Sequence, residues 1–341
     1  MTKYLRKFNR TFIIAEIGVN HNGSLNFAKK LIDKANEAGA DAVKFQSFSA
    51  KNLASQDTPK AKYQIDNTRN DESHFKMLKK LELNFNQMHT LFKYCKKKKI
   101  EFISTPYDVE NAKFLKKMGM KIFKTASADL NDYFLHKYLS TIKRTVIIST
   151  GMADIKEINL CLKRYKNKND LIILHCVSCY PASIEILNLN NIETLRNRFN
   201  LRVGFSDHSK GTEAAIIAVS KGAKVIEKHF TLDKKMKGPD HKSSLNFIEF
   251  KKFVNAIRQT EKIMGSYEKK CLSVERQMKY VSTKSIAAAK DLKIGDTITY
   301  KVLKLLRPNK GVKSIDISKI IGKKLKKNKK QNEHLNFSDV K

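Results

Sequence analysis

Short apolar runs alternate with amphipathic stretches from about residue 11 to residue 265. The apolar runs lie at 11–17, 42–46, 101–105, 121–125, 145–149, 171–176, 202–205 and 224–227. Between them, stretches such as 27–38, 109–118 and 213–220 carry helical periodicity, and Gly39, Gly119 and Gly222 stand at or just beyond their ends, where a helix stop is expected. Strands alternating with helices predict parallel strands joined by crossover helices. Eight such units fit a (β/α)8 TIM barrel. An open doubly wound sheet is the alternative, and the lack of a GxGxxG after the first strand speaks against it. Residues 49–72 are polar, poor in helix signals and longer than a crossover needs, which predicts a functional loop over the barrel mouth. Beyond residue 265 the pattern changes. A polar stretch, 266–279, leads to short β-type runs at 285–289, 297–300 and 302–306, with turns at 293–296 and 308–311. The expected division is a barrel domain over 1–266, a linker over 267–280 and a small β-rich domain over 281–341.

Composition changes this picture little. The chain has 341 residues, 41% of them hydrophobic, enough for one large and one small domain. No apolar run approaches the roughly 20 residues of a membrane span. The basic N-terminus is followed by an apolar stretch, 12–15, that Glu16 cuts short, too brief for a signal peptide. A cytoplasmic protein is expected. Five scattered cysteines argue against a disulfide framework. Cys176 and Cys179 form a lone CxxC beside an apolar run, weak evidence for a metal and suggestive of a buried thiol. The net charge of +35 invites a nucleic-acid reading. The lysines, however, are spread along the whole chain, and runs such as 96–99 and 326–330 read as solvated faces or tails. No nucleic-acid partner is expected, although such a field favours encounter with small anions.

The chemistry is expected where barrel strands end. There the sequence places Glu16, Asn20 and His21; Lys44 and Gln46; Ser104 and Thr105; Lys124 and Ser127; Ser149 and Thr150; His175, Ser178 and Tyr180; Ser206, Asp207 and His208; Glu227, Lys228 and His229. Lys44 and Lys124 interrupt otherwise apolar runs, so each needs an anion or a task. With the hydroxyls of Thr105, Ser127 and Ser149 near, a phosphate or carboxylate is the favoured guest; a Schiff base and a structural ion pair are the alternatives. His208 and His229 fall on neighbouring strands, and converging imidazoles suit Mn²⁺, Fe²⁺ or Zn²⁺. The alternative is that each bonds to backbone or to Asp207 and Glu227. Glu16, Asp207 and Asp240 are available to move protons, hold hydroxyls or orient a ligand.

The segments IAEIGVNHNGSL, VKFQSF, FISTPYD, IFKTAS, IISTGMADI, LHCVSCYP, VGFSDHSKG and VIEKHFTLDKKMKGPDHKSSL closely resemble the sialic acid synthases. The stretch from SIAAAKDLKIGD to KLLRPNKGV resembles their small antifreeze-like (SAF) domain. KFQSFSAKN and NDESHFKMLKKLELN are most similar to N,N'-diacetyllegionaminate synthases, with N-acetylneuraminate synthases next. The resemblance implies condensation of phosphoenolpyruvate with the open-chain aldehyde of an N-acetylated hexosamine, phosphate leaving by C–O cleavage. It implies that Lys44, Thr105, Lys124, Ser127, Ser149 and Ser206 hold phosphoenolpyruvate, that His208 and His229 bind a divalent metal, Mn²⁺ first, and that Glu16, Gln46, Tyr180 and Asp240 position the sugar or manage protons. It also implies a domain-swapped homodimer in which Arg307 reaches the sugar in the partner's barrel. Three departures bear on substrate and rate. Ser127-Ala128-Asp129 stands where the family has Ser-Gly-Glu, so the carboxyl that joins Glu16, Lys44 and Lys124 as a catalytic candidate, Asp129, is one carbon shorter. Arg307-Pro308-Asn309 stands for Arg-Pro-Gly, and Tyr180-Pro181-Ala182-Ser183 for Tyr-Pro-Thr/Ala-Pro. Residues 49–72 are expected at the far end of the sugar. The competing reading is a non-catalytic protein that binds nucleic acid or ice; the lysine-rich 319–330 opposes a flat, weakly charged ice-binding face, and Asp129 alone hints at an enzyme relic.

Overall fold

Eight parallel strands close into a barrel, each paired with its neighbours in sequence order and the last with the first. The computed structural model describes residues 10–70, 72–168 and 170–341. The strands are β1 Phe12–Gly18, β2 Ala42–Ser47, β3 Glu101–Pro106, β4 Ile122–Thr125, β5 Thr145–Ser149, β6 Leu171–Cys176, β7 Arg202–Asp207 and β8 Val225–His229. The helices are α1 Leu25–Glu37, α2 Ala50–Leu53, α3 Lys62–Thr68, α4 His74–Leu81, α5 Phe85–Lys98, α6 Val109–Met118, α7 Tyr133–Thr141, α8 Ile155–Leu162, α9 Asn191–Phe199, α10 Glu213–Ser220 and α11 Phe247–Met264. Local chemistry sets many of their ends. Asp108 accepts the Asn111 amide at 2.7 Å to start α6, and Gly119 closes it at φ +101°. Asn246 and Glu249 cap α11 reciprocally, which satisfies amide donors that the helix leaves free.

The period of two along each strand sorts side chains into two layers. Phe12, Ile14, Ala42, Ile103, Ile122, Ile147, Ile172, Leu174 and Val225 pack together as a buried core inside the barrel. Ile13, Val43, Phe45, Phe123, Ile148, Phe205 and Ile226 belong to the larger core shared with the helices. Gly204 is required by this crowding. A Cβ there would lie 2.3 Å from the Val225 carbonyl oxygen and 2.6 Å from Leu174. Continuing the inward parity toward the strand C-termini gives Glu16, Lys44, Thr105, Lys124, Ser149, Cys176, Ser206, Glu227 and His229. The inner lining therefore turns from apolar to polar toward the strand C-termini.

Three expectations need correction. Residues 49–72 are not an irregular loop, because α2 and α3 lie within them. The organiser is Lys60, 8% exposed, whose ammonium donates to Asn70 O and Oδ1 at 2.6 Å and to Thr68 Oγ1 at 3.0 Å. Polar composition hid a segment held by one buried cation. The lysine run 326–330 is likewise not wholly solvated. Lys329 is 4% exposed and pairs with Asp339 at 2.8 Å and Glu333 at 2.9 Å. The run 297–300 forms no strand but one bridge, Thr297 to Lys324, before a 3-10 turn, Tyr300–Val302.

The chain divides into two compact units between Gly265 and Ser266. In the second, β9 Ser285–Ala288 and β10 Leu303–Leu306 pair antiparallel around a buried core that includes Ile286, Ile298, Val312, Leu325 and Leu335. The stretch read as polar linker carries a short helix, α12 Arg276–Ser282.

Candidate active site

The polar end of the barrel opens into a cavity of about 390 Å³. Glu16 and Lys44 are register partners on β1 and β2, and Lys44 Nζ lies 2.7 Å from the Glu16 carboxylate. Glu227, on β8, sits 3.8 Å from both Lys44 and Lys124. Lys124 donates to Ser149 Oγ at 2.5 Å and to the Thr125 carbonyl at 2.8 Å. Thr105 Oγ1 accepts from Lys44 at 3.3 Å. All four charged groups are buried. A buried pair is tolerated only when both charges are matched and hydrogen-bonded, and here two ammoniums face two carboxylates.

Their acidities diverge. Burial, the largest influence, raises Glu16 above the ordinary carboxylate range despite Lys44. Burial also works to raise Glu227, but Lys124 and Lys44 together hold it below that range. Burial lowers Lys124. It would lower Lys44 as well, but Glu16 and Glu227 outweigh it and Lys44 is raised. Sequence reasoning had assigned Glu227 only as a possible histidine partner. Its place between two lysines follows from barrel closure, which no local pattern reports.

Around this cluster stand further hydroxyls and rings. Ser127 Oγ accepts the Gly151 amide at 3.0 Å. A Cβ at Gly151 would come within 2.8 Å of that hydroxyl, so the wall needs glycine. Ser206 Oγ donates to Glu227 at 2.9 Å, and Gln46 reaches Glu16 at 3.4 Å. Asp129 lines the cavity. Its buried Oδ2 has no hydrogen-bond partner, and burial followed by Asp132 raises its carboxyl to about 7. Asp240 is buried and raised by that burial to about 6, while the nearby His208 opposes the rise. The Tyr180 ring centroid lies 4.1 Å from that of His208, and the Tyr63 ring stacks on Tyr180 at 5.0 Å. Tyr63 was missed because it lies on α3, in the segment read as loop. Cys176 is buried in the lining, with its thiol 3.7 Å from His208 Nδ1, whereas Cys179 is exposed. Arg307 belongs to the C-terminal unit, exposed directly after β10.

His208 and His229 lie with ring centroids 5.7 Å apart. His208 Nδ1 is engaged by the Val177 carbonyl at 2.8 Å. Nε2, within 3.5 Å of Ser206 Oγ, remains for a ligand. His229 is kept neutral, lowered to about 3 by burial and then by His208 and Lys44. Its Nδ1 is buried without a hydrogen-bond partner. An orphaned buried nitrogen on one neutral imidazole and a pre-oriented second imidazole fit a divalent cation. Among the described residues no group of three or more His, Cys, Asp or Glu side chains converges as a metal site, so protein would supply two ligands and leave the other positions to water or substrate.

Comparison with known proteins places this architecture. A model of the NeuB family matches residues 31–269, and the SAF domain matches residues 283–341. The chain is 43% identical to the N,N'-diacetyllegionaminic acid synthase of Campylobacter jejuni, over 95% of this chain and 98% of that protein. It is 41% identical to the enzyme of the same name from Legionella pneumophila, over 93% and 91%. The crystal structure of an N-acetylneuraminic acid synthetase from Leptospira borgpetersenii, solved in complex with citrate, superposes with a TM-score of 0.70 at 35% identity, covering 79% of this chain and 90% of that one.

Proposed function

The chain belongs to the NeuB family, and from that membership and the geometry of its cavity we propose that it condenses phosphoenolpyruvate with an N-acetylated amino sugar, a transferase reaction yielding a nine-carbon sialic-acid-type sugar acid and phosphate. The observation that carries this reading is the meeting of Lys44, Lys124 and two imidazoles around one cavity at the polar end of the barrel. The similarity to legionaminic acid synthases favours 2,4-diacetamido-2,4,6-trideoxymannose over N-acetylmannosamine as the sugar.

In this reading Lys44 and Lys124 exchange part of their pairing with Glu16 and Glu227 for the anionic groups of phosphoenolpyruvate. Thr105, Ser127, Ser149 and Ser206 turn their hydroxyls to the same oxygens. Such pre-placed donors stabilise charge as it gathers on the departing phosphate without reorganising at that moment. The enol carbon of phosphoenolpyruvate attacks the aldehyde carbon of the open-chain sugar. Water then adds to the activated carbon, and the C–O bond to phosphate breaks. His208 and His229 would hold Mn²⁺, whose chemistry when bound is Lewis-acid polarisation of the aldehyde oxygen. Glu16 and Asp129, both carboxyls whose pKa burial raises, are placed to deliver or accept the protons these steps require. Gln46, Tyr180 and Asp240 orient the sugar, so that the two reacting carbons are held together.

The reading extends to assembly. The segment after Gly265 exposes Tyr267, Leu272, Val274, Met278, Tyr280 and Val281, large apolar groups for which a partner chain is the natural cover. We place the protein as a homodimer in which Arg307 of one chain completes the sugar site of the other. Among the described residues no helix is long and apolar enough to cross a membrane, and a cytoplasmic enzyme is the reading adopted.

The test is phosphate release from phosphoenolpyruvate with Mn²⁺ and each sugar in turn, with and without EDTA. Sugar-dependent release that EDTA abolishes, faster with the diacetamido sugar, is the expected result. Release with neither sugar overturns the assignment.

A further inference from the structure

Behind the two histidines lies a buried ion pair to which the reaction assigns no part. Asp207 and Lys228 immediately precede His208 and His229, and they are register partners across β7 and β8. By strand parity they point away from the cavity, into the layer between barrel and helices. Lys228 is 1% exposed and so is Asp207, and Lys228 Nζ lies 2.8 Å from Asp207 Oδ2. The ammonium also donates to the Ser209 carbonyl at 2.6 Å and stands 5.7 Å from the centre of the Phe253 ring on α11. The other carboxylate oxygen, Oδ1, accepts the Ser209 amide at 2.8 Å and the Ser209 hydroxyl at 2.7 Å.

The result is a clamp with His208 at its centre. Asp207 and Ser209 flank that histidine, and one carboxylate and one ammonium tie both flanks together. The ammonium comes from the residue next to His229. A displacement of either strand end would therefore strain this network, and the separation of the two imidazoles is coupled to it. A buried pair is not needed for stability alone, since apolar replacements of similar volume are often neutral or better. A turn holding one histidine and a strand end holding the other do need a fixed relation if both are to meet one cation.

We propose that the Asp207–Lys228 pair is a positioning device that sets the spacing of His208 and His229 for a shared divalent cation. The inference rests on the metal reading of those two histidines. Neither Asp207 nor Lys228 touches the cation or the substrates; they act through the backbone of the residues that follow them.

The experiment uses the full chain with the paired change Asp207→Asn and Lys228→Met. It removes both charges together and leaves an amide oxygen to accept from Ser209. Mn²⁺ binding is measured on substrate-free protein by the electron paramagnetic resonance signal of free Mn²⁺. Thermal unfolding is followed in EDTA, so that the fold is read without metal. The expected result is a melting temperature within about 4 °C of the wild type, with Mn²⁺ affinity weakened by about 10- to 100-fold, the range seen when the supports of metal ligands are removed. Excess Mn²⁺ should restore kcat and leave the KM for phosphoenolpyruvate unchanged. Unchanged Mn²⁺ affinity, with or without a lower melting temperature, overturns the proposal and leaves the pair a purely structural one. Should the paired variant not fold, Ser209→Ala, which removes a single hydroxyl from the clamp, is measured instead; an affinity at least about threefold weaker supports the proposal and an unchanged one overturns it. A wild-type protein that binds no Mn²⁺ overturns the metal reading and the inference with it, whereas binding by wild type and variant alike overturns the inference alone.

Discussion

At the scale of single residues, the informative feature is the divergence of carboxyl groups in one cavity. Asp129 is raised to about 7 by burial and by Asp132, whereas Glu227 is held low by two lysines despite its burial. A carboxyl with its pKa near neutrality is suited to proton transfer. As a donor it is competent below pH 7 and loses its proton above, so kcat/KM should fall as pH rises through about 7. Asp129→Asn should lower the rate by roughly 10²- to 10⁴-fold and leave the limb to Glu16, which burial also raises, while Asp129→Glu keeps the rate. A pH profile of the three proteins decides this. Stability supplies a second check. The folded value exceeds the unfolded one, near 3.9, so this group's contribution to stability is fully present below about pH 4 and lost as pH rises to 7. The asparagine variant should therefore melt higher than wild type at pH 8, with the advantage shrinking toward pH 4. The candidate site was largely legible at this scale, because a lysine inside an apolar strand is anomalous wherever it occurs. Tyr63 and Glu227 were not legible in their roles. Tyr63 breaks no local pattern, Glu227 reads as one more polar strand end, and their partners are distant in the chain.

At the scale of elements, α3 is the piece that sequence periodicity concealed. It is a short helix in a segment organised by Lys60, and it grips the cavity rim by two contacts. The Tyr63 ring stacks on Tyr180, and Asn67 donates to the carbonyl of Pro239, the residue before Asp240, at 2.6 Å. Tyr180 and Asp240 are both read as sugar contacts, so α3 is expected to control the sugar and not phosphoenolpyruvate. Tyr63→Ala and Asn67→Ala should each raise the KM for the sugar about 10-fold, the equivalent of one to two lost contacts of ~1 kcal/mol. The KM for phosphoenolpyruvate should stay within about twofold. Initial rates with each substrate varied in turn separate the two; an equal rise in both would point to general loosening of the barrel mouth. The barrel strands show the opposite situation. Their bounds fall within two residues of the runs read from hydrophobicity, because a strand buried on both faces is apolar along its length.

At the scale of the whole molecule, the question is how two compact units become one enzyme. The proposed exchange of C-terminal units between chains predicts complementation. Lys124→Met should abolish activity through the barrel, and Arg307→Ala should impair it through the C-terminal unit. When the two variants are unfolded and refolded together at equal amounts, about half of the dimers are mixed, and each mixed dimer holds one intact site of two. Activity should therefore recover to about a quarter of wild type. Recovery no greater than the sum of the separate variants would rule the exchange out. Sedimentation of the wild-type chain gives the dimer mass independently.

The sequence by itself determined the number of barrel strands, the order of strands and helices, the change of architecture near residue 265 and the end of the barrel at which polar side chains gather. These follow from periods of two and about 3.6 and from breaks in them, which are local properties of the chain. Only the tertiary structure decided that Glu227 sits between Lys44 and Lys124, that Lys329 is buried beside Asp339, that Tyr63 lies against Tyr180, and that Asp207 and Lys228 lock together behind the two histidines. Each of these partnerships joins residues that only folding brings together. Periodicity states which face a side chain takes, but the neighbour it meets there is set by the register of adjacent strands and the closure of the barrel.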